Sequence, residues 1–203
     1  MEVLVVGNTA YVDDDFCAKA FPGDHVQVVA AAESRRDGSS PHASWNELLQ
    51  HLDQAYEFDR VVYLSNFLTP HTDTVGDIET LRSVFRACAG RRVQLLYVAG
   101  PAGAEGAADA AGRTGKGIIA RAANDLCRYY AAREGVQTKI LRVPFLYTAS
   151  AALEDPFLAP LFDACLTGSV ALQGAQDAAF PLLCAEELAV LVRRIFDSWD
   201  GNF

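Results

Sequence analysis

The residues of this sequence with the clearest potential for chemistry directly follow its first apolar run. The run VLVV, residues 3–6, leads into GNTAYVDDDF, residues 7–16. A glycine at a strand end lets the backbone turn tightly and approach a phosphate, whereas Asp13 to Asp15 bring negative charge to the same place. Carboxylates in the first turn of a helix accept hydrogen bonds from its free N–H groups and suit its dipole. We therefore predict that these aspartates cap a helix and bind no metal, because consecutive residues point to different sides.

A second glycine-rich segment, GRTGKG at 112–117, precedes a predicted helix. Backbone N–H groups at such a start can hold an anion, and Lys116 would add positive charge. The P-loop pattern is incomplete and the preceding strand is distant. Two interpretations stay open. In one, Arg113, Lys116 and Arg121 contact an anion or nucleotide; in the other, the segment is a solvated, flexible helix entry.

A third candidate lies at the end of the second predicted strand. Glu33 follows the first turn by about 20 residues, where an acid can hold a ribose. Arg35 and Arg36 suit a 2′-phosphate instead, and ESRRDGSS, residues 33–40, is also typical of a solvated loop. The sequence leaves these alternatives open.

The histidines and cysteines show no metal-binding pattern. The four histidines have no mutual ligand spacing and no HExxH motif, and the five cysteines include no CxxC pair. We predict no metal, and reduced thiols typical of a cytosolic protein. Among the histidines only His71, in a predicted loop at a strand end, is a candidate for mutation.

Composition limits the kinds of partner. With 203 residues, 51% of them hydrophobic, the chain has the composition of one soluble domain, residues 1–203. A net charge of −9 would repel nucleic acid or an anionic membrane surface. No apolar run approaches the roughly 18 residues that a membrane span requires. We expect a soluble, cytoplasmic protein that neither binds nucleic acid nor spans a membrane.

Apolar runs alternate with amphipathic segments, which predicts βαβ units. The strand candidates are residues 3–6, 25–31, 60–65, 93–99 and 138–144, with a further short strand near Val170–Leu172. The helix candidates are Asp14–Ala20, Trp45–Tyr56, Asp77–Cys88, Ile118–Arg133, Phe157–Leu166 and Ala185–Trp199. Because the strands are almost wholly apolar, we expect helices on both faces of the sheet. The fold class is therefore α/β, a doubly wound, mostly parallel, Rossmann-like sheet with a core over 1–144, and the family resemblance described next implies that the region over 145–203 is abbreviated.

Five segments occur in an order typical of one known family. They are VLVVGNTAYV, RVVYLSN, DIETLRSVFRACAGRRVQLLYVAG, ARAANDLCRYYAAREGVQTKILRVPFLY and ALQGAQDAAFPLLCAEELAVLVRRIF. Together they resemble the extended short-chain dehydrogenase/reductase family, the NAD-dependent epimerases and dehydratases that act mostly on nucleotide sugars. The resemblance implies an NAD or NADP cofactor at the first turn and the adjacent strand ends. The residues it implies for cofactor binding are Gly7, Thr9, Ala10, Tyr11, Val12, Glu33, Arg35 and Ser65.

The chain departs from the family at the cofactor turn. The three glycine positions of the family fall on Gly7, Ala10 and Asp13, so one glycine remains. A carboxylate about 4 Å from a phosphate costs roughly 4 kcal/mol at an effective dielectric near 20. We therefore expect Asp13 to weaken cofactor binding on the order of a thousandfold.

The chain departs from the family at the catalytic residues as well. The family uses a tyrosine as general acid/base with a lysine four residues later. Those positions fall on Lys116 and Ala120, or on Gly117 and Arg121, and neither pair contains a tyrosine. The serine or threonine expected after the fourth strand is also missing. The sequence predicts no catalytic residue, and Lys116 is the one substitute acid to consider.

These features predict a degenerate, non-catalytic member that acts as a nucleotide-sensing or protein-interaction module. The alternative is an active NAD(P)-dependent nucleotide-sugar epimerase, dehydratase or reductase with atypical catalytic residues. A third hypothesis is a structural partner domain that binds no small molecule. A nucleotide or nucleotide sugar, a protein partner, and the rest of a longer chain are the partners that these hypotheses imply.

Overall fold

The computed structural model describes residues 1–7, 11–30, 58–65, 74–100, 115–148 and 182–200. Five strands form one parallel sheet in the order β2-β1-β3-β4-β5, and two further short strands, β6 and β7, pair in parallel. The strands are β1 Glu2–Gly7, β2 His25–Ala30, β3 Arg60–Leu64, β4 Gln94–Ala99, β5 Gln137–Arg142, β6 Phe145–Tyr147 and β7 Leu182–Cys184. The described helices are α1 Asp14–Ala20, α2 Thr74–Cys88, α3 Gly115–Arg133 and α4 Ala185–Asp197.

The sheet is buried on both faces, as its almost continuous apolar strands predict. One core cluster contains side chains of α2 and α3, including Leu81, Phe85 and Cys127. The other contains side chains of α1 and α4, including Phe16 and Leu188. The prediction of a doubly wound, Rossmann-like α/β fold is therefore confirmed.

Several predicted boundaries differ from the observed ones. Helix α2 begins at Thr74, before the predicted Asp77, and α3 begins at Gly115, before the predicted Ile118. Strands β6 and β7 were not predicted, because three-residue strands carry little periodic signal. The predicted helices Trp45–Tyr56 and Phe157–Leu166 and the predicted strand Val170–Leu172 lie outside the described residues. The division of the domain near residue 144 stays a prediction.

Cationic and aromatic side chains attach the end of α4 to the amino-terminal edge of the sheet. The rings of Phe196 and Trp199 stack with their centroids 5.3 Å apart. The Arg60 guanidinium carbon lies 5.0 Å from the Phe196 centroid, and Lys139 Nζ lies 5.2 Å from the Trp199 centroid. Each such contact contributes about 0.5–2 kcal/mol, depending on desolvation. These contacts fix α4, and with it the layer formed by α1 and α4.

Candidate functional site

Strands β1, β3 and β4 end at the same edge of the sheet, where ligands bind in open α/β folds. In the register Gly7 is opposite Leu64, and Leu64 is opposite Val98. Gly7 has φ +109°, and a Cβ built on it would lie 2.1 Å from the carbonyl oxygen of Leu64. The fold therefore requires this glycine whether or not a phosphate binds nearby.

The β1–α1 corner is capped by an aspartate, as predicted. Asp13 is the N-cap of α1, and its Oδ1 accepts a hydrogen bond of 2.8 Å from the backbone N–H of Phe16. Asp14 and Asp15 occupy the first turn, and all three aspartates are exposed. Their charge suits the positive end of the helix dipole. The chain thus supplies its own carboxylate at the end of the helix that would otherwise face an anion.

The two described residues between Gly7 and Asp13 belong to the core. The side chain of Tyr11 is 5% exposed and packs in the cluster under α1, and Val12 is half-buried against it. A ligand at this corner would therefore meet their backbone before their side chains. The other two candidates in this segment, Thr9 and Ala10, lie outside the described residues, as do Glu33, Arg35, Arg36, His71 and Arg113.

Helix α1 also joins this corner to α4. Lys19 near the end of α1 forms an ion pair of 2.6 Å with Glu186 in the first turn of α4. Cys17, between the aspartates and Lys19, is not an activated thiol, because burial and then the charges of Asp14 and Asp13 raise its pKa. The corner contains charges that stabilise the helix, but no activated nucleophile among its described residues.

A buried polar cluster that no sequence pattern predicted lies where β3 ends. We call Tyr63, Ser65 and Asp77 the β3-end cluster. Tyr63 Oη donates to Asp77 Oδ1 at 2.7 Å, and Ser65 Oγ donates to Asp77 Oδ2 at 3.0 Å. Asp77 is 2% exposed, and Tyr63 and Ser65 are fully buried. One carboxylate therefore joins the first turns of α2 to the end of the central strand.

Burial dominates the titration of the tyrosines in this region. It raises the pKa of Tyr63 well above its ordinary value, and the negative charge of Asp77 raises that pKa further. Burial likewise raises the pKa of Tyr97, whose ring centroid lies 5.9 Å from that of Tyr63. Both phenols therefore stay protonated near neutral pH, and the Tyr63 hydroxyl donates to Asp77. A general base would need the opposite shift.

The cluster changes what can be expected of Ser65. Its hydroxyl donates to Asp77, and its backbone N–H donates to the carbonyl of Val98 at 3.0 Å. Contact between this side chain and a cofactor would require the cluster to open, so its cofactor role stays a prediction. The available signal was the pair Tyr63 and Ser65, two residues apart on one strand face, followed by an aspartate in the next helix.

Helix α3 places its tyrosines away from the binding edge. Tyr130 is the fifteenth residue after Gly115, about 22 Å along the helix axis. Its ring stacks on Phe85 with centroids 4.7 Å apart. Tyr129 is 54% exposed, on the outer side of the helix. Neither tyrosine is placed to act at the edge where the strands end.

The predicted anion contacts fall partly on described residues. Arg121 is exposed on the first half of α3, whereas the side chain of Lys116 lies outside the described part of the molecule. Among the described residues, no group of three His, Cys, Asp or Glu side chains is arranged to hold a metal ion. No helix in the same part of the chain is long and apolar enough to cross a membrane.

Comparison with known proteins identifies the fold. No protein-family model and no curated protein sequence matches the chain. Its structure is similar to dTDP-glucose 4,6-dehydratase from Streptomyces venezuelae, solved with NAD bound. The TM-score is 0.72 at 12% identity, covering 99% of this chain and 73% of that enzyme. It is also similar to UDP-N-acetylglucosamine 4-epimerase from Bacillus cereus, with a TM-score of 0.65 at 14% identity, covering 100% of this chain and 74% of the other.

A third similar structure is an enzyme from Bordetella bronchiseptica in complex with NADH, with a TM-score of 0.69 at 14% identity. The similarity covers 98% of this chain and 69% of that enzyme. Such identities show the fold alone, since one fold supports many functions. The chain therefore has the Rossmann-like fold of the extended short-chain dehydrogenase/reductases.

Proposed function

We propose that this chain is a non-catalytic domain of the epimerase/dehydratase fold that acts as a nucleotide-sensing or protein-interaction module. The observation that carries the proposal is the hydrogen bond from Phe16 N–H to Asp13 Oδ1, 2.8 Å long. In this fold a dinucleotide places its pyrophosphate at the start of the first helix. Here Asp13 Oδ1 already accepts a hydrogen bond from one of the N–H groups at that start, so this group is not available to a pyrophosphate.

The charge of Asp13 supports the same proposal, although its effect is smaller than the sequence suggested. Asp13 is exposed, so water and salt screen its repulsion of a phosphate. We therefore reduce the expected loss in affinity from about a thousandfold to roughly ten- to a hundredfold. Occupation of the helix end and repulsion act together against a pyrophosphate.

The positions of four described tyrosines, those of β3, β4 and α3, support the absence of dehydrogenase chemistry. Proton transfer requires an acid or base within hydrogen-bonding distance of the substrate. Tyr63 and Tyr97 are buried with raised pKa values, Tyr130 is stacked in the core, and Tyr129 faces outward. None of these four is exposed near the ends of β1 and β3.

A thermal-shift panel on the full chain tests the proposal. The ligands are NAD, NADP, their reduced forms, ATP, and UDP- and GDP-sugars. A ligand at 100 times its Kd stabilises by about 2.7 kcal/mol, or roughly 5–10 °C for a chain of this size. We expect no such shift with the nicotinamide nucleotides. A shift in melting temperature with ATP or a nucleotide sugar alone would assign the nucleotide-sensing role. No shift with any ligand would assign the protein-interaction role.

Asp13→Asn is the matched variant, because asparagine also caps a helix but carries no charge. We expect it to retain the melting temperature and to gain affinity for phosphate-containing ligands. The alternative, an active NAD(P)-dependent enzyme, is favoured by the NAD and NADH named in the similar structures. A shift of several degrees with NAD in the unmodified chain, together with turnover of a nucleotide sugar, would replace our proposal with that alternative.

A further inference from the structure

The outer surface of α4 carries a short stripe that is apolar at its centre and oppositely charged at its two ends. It consists of Glu187, Val190, Leu191 and Arg194, whose spacing places all four on one side of the helix. We call these residues the α4 stripe. All of them are exposed, including the apolar Val190 at 42% and Leu191 at 36%. Two adjacent apolar side chains are therefore presented to solvent between an acid and a base.

The packing of α4 directs this stripe away from the sheet. The buried residues of the helix belong to the core cluster that contains side chains of α1 and α4, and they are Ala185, Leu188, Ala189, Val192 and Phe196. At about 3.6 residues per turn, these residues and the α4 stripe lie on opposite sides of the helix. A contact between the stripe and another molecule would therefore leave the packing of α4 intact.

The acid and the base of the α4 stripe form no ion pair with any described residue. The charges beside them on α4 are already paired, Glu186 with Lys19 at 2.6 Å and Arg193 with Asp197 at 3.6 Å. The two charges of the stripe are seven residues apart, beyond the spacings of three and four at which side chains of one helix pair. An opposite charge on a second molecule could therefore pair with each of them.

The α4 stripe is complementary to itself when two copies of the helix are antiparallel. Glu187 and Arg194 are equally distant in sequence from the midpoint between Val190 and Leu191. A two-fold axis through that midpoint places Glu187 of each copy opposite Arg194 of the other. The same axis places Val190 opposite Leu191. Parallel helices would instead bring like charges together, which disfavours that arrangement.

We propose that two copies of this chain associate through the α4 stripe, with their α4 helices antiparallel. A two-fold contact uses the same surface of both copies, so it closes as a pair. The apolar residues form the centre of the contact and the two ion pairs form its rim, as in other protein interfaces. Each helix has 13 residues, about 20 Å, and one helix pair buries less area than a standard interface. We therefore expect weak association, with a Kd on the order of 100 µM.

This inference names a partner for the protein-interaction role proposed above and rests on that role. The nucleotide panel measures melting temperatures and the experiments below measure association between copies, so the failure of one is distinguishable from the failure of the other. In sedimentation velocity at about 50 mM salt, the sedimentation coefficient of the full chain should rise between roughly 5 and 500 µM protein. At about 500 mM salt the rise should be smaller, because salt screens exposed ion pairs.

Reversing one charge of the stripe tests the ion pairs. In the two-fold contact Glu187→Arg places like charges opposite each other at both ends, and so does Arg194→Glu. Each variant should weaken self-association by about tenfold or more, because two attractive contacts become repulsive. Arg92→Glu is the control, since Arg92 is exposed outside α4 and the net charge changes as in Arg194→Glu. Its self-association should stay within about threefold of that of the unmodified chain.

Combining the two reversals tests the antiparallel arrangement. A chain with both Glu187→Arg and Arg194→Glu has the net charge of the unmodified chain, and antiparallel helices again place opposite charges together. Its self-association should return to within about threefold of that of the unmodified chain. Circular dichroism should show that all these variants are folded, because the exchanged side chains are exposed.

Removing the apolar centre of the stripe gives a test that keeps both charges. Val190→Ser combined with Leu191→Ser should abolish the rise in sedimentation coefficient up to about 500 µM protein, since the ion pairs alone are worth little. An unmodified chain whose sedimentation coefficient does not rise with concentration would overturn the proposal. So would single reversals that associate like the unmodified chain, or a combined reversal that associates as weakly as the single ones.

Discussion

Two aspartates at the same edge of the sheet are stabilised in different ways. Asp13 is exposed and accepts one hydrogen bond from a backbone N–H, whereas Asp77 is buried and accepts hydrogen bonds from the hydroxyls of Tyr63 and Ser65. At the β1–α1 corner, water can replace what the aspartate provides. At the β3-end cluster water cannot take the place of the carboxylate, because the Tyr63 and Ser65 hydroxyls are fully buried. The stability of this edge therefore depends on the β3-end cluster far more than on the β1–α1 corner.

The largest effect is expected from removing the buried carboxylate. Asp77→Ala removes the buried carboxylate that accepts from the hydroxyls of Tyr63 and Ser65, which should lower the free energy of unfolding by about 3–5 kcal/mol. Urea denaturation followed by circular dichroism measures this loss. Tyr63→Phe is the control, because it removes one donor and leaves Asp77 bonded to Ser65, and it should cost about 1–2 kcal/mol. A loss below 1 kcal/mol for Asp77→Ala would mean that the two corners do not differ.

Gly7→Ala tests the close approach of β1 to β3 at the edge of the sheet that holds both corners. Its Cβ would lie 2.1 Å from the carbonyl oxygen of Leu64, at a backbone angle that alanine adopts poorly. We expect a loss of about 2–4 kcal/mol from strain and displaced backbone. Gly23→Ala is matched, because Gly23 has φ +82° with nothing within 4 Å of the added Cβ. Equal melting temperatures for Gly7→Ala and Gly23→Ala would show that the close approach of Gly7 to Leu64 adds nothing to the loss of stability.

Alkaline pH should destabilise the region of the β3-end cluster and leave the β1–α1 corner unaffected. Folded Tyr63 and Tyr97 have raised pKa values, so above pH 10 the unfolded chain loses phenolic protons that the folded chain retains. Stability therefore falls as pH rises above 10, by up to about 1.4 kcal/mol per pH unit for each tyrosine. Chemical denaturation at several pH values measures the slope. Tyr97→Phe should reduce that slope by about one proton, and an unchanged slope would exclude Tyr97 as a source.

The smallest effect is expected at the exposed aspartate. Asp13→Ala removes the cap of α1 and should cost about 1 kcal/mol, which thermal unfolding detects as a shift of a few degrees. Asp13→Asn should restore the stability almost fully, because its side-chain oxygen also accepts the hydrogen bond from Phe16. If alanine and asparagine were equally destabilising, the charge of Asp13 would matter more than its cap.

The sequence predicted the parts of this edge that depend on local signals. Capping by Asp13 follows from aspartates at the start of an amphipathic segment, and the parallel sheet follows from wholly apolar strands alternating with helices. The β3-end cluster depends on tertiary packing between Ser65 and Asp77, which are 12 residues apart in the chain. No periodic pattern records such a contact. The packing of the Tyr11 side chain in the core was not predicted for the same reason, and the cofactor role that the family resemblance implies for Tyr11 stays a prediction.

The close approach of Gly7 to Leu64 also affects how related sequences should be interpreted. Any chain that keeps this strand register is under selection to keep glycine at this position, even after its cofactor has been lost. The position of Asp13 carries no such steric constraint, because its side chain is exposed and contributes only the cap of α1. A glycine kept at the position of Gly7 therefore reflects ancestry and strand pairing. The second and third glycine positions of the family's turn are the ones that indicate cofactor use.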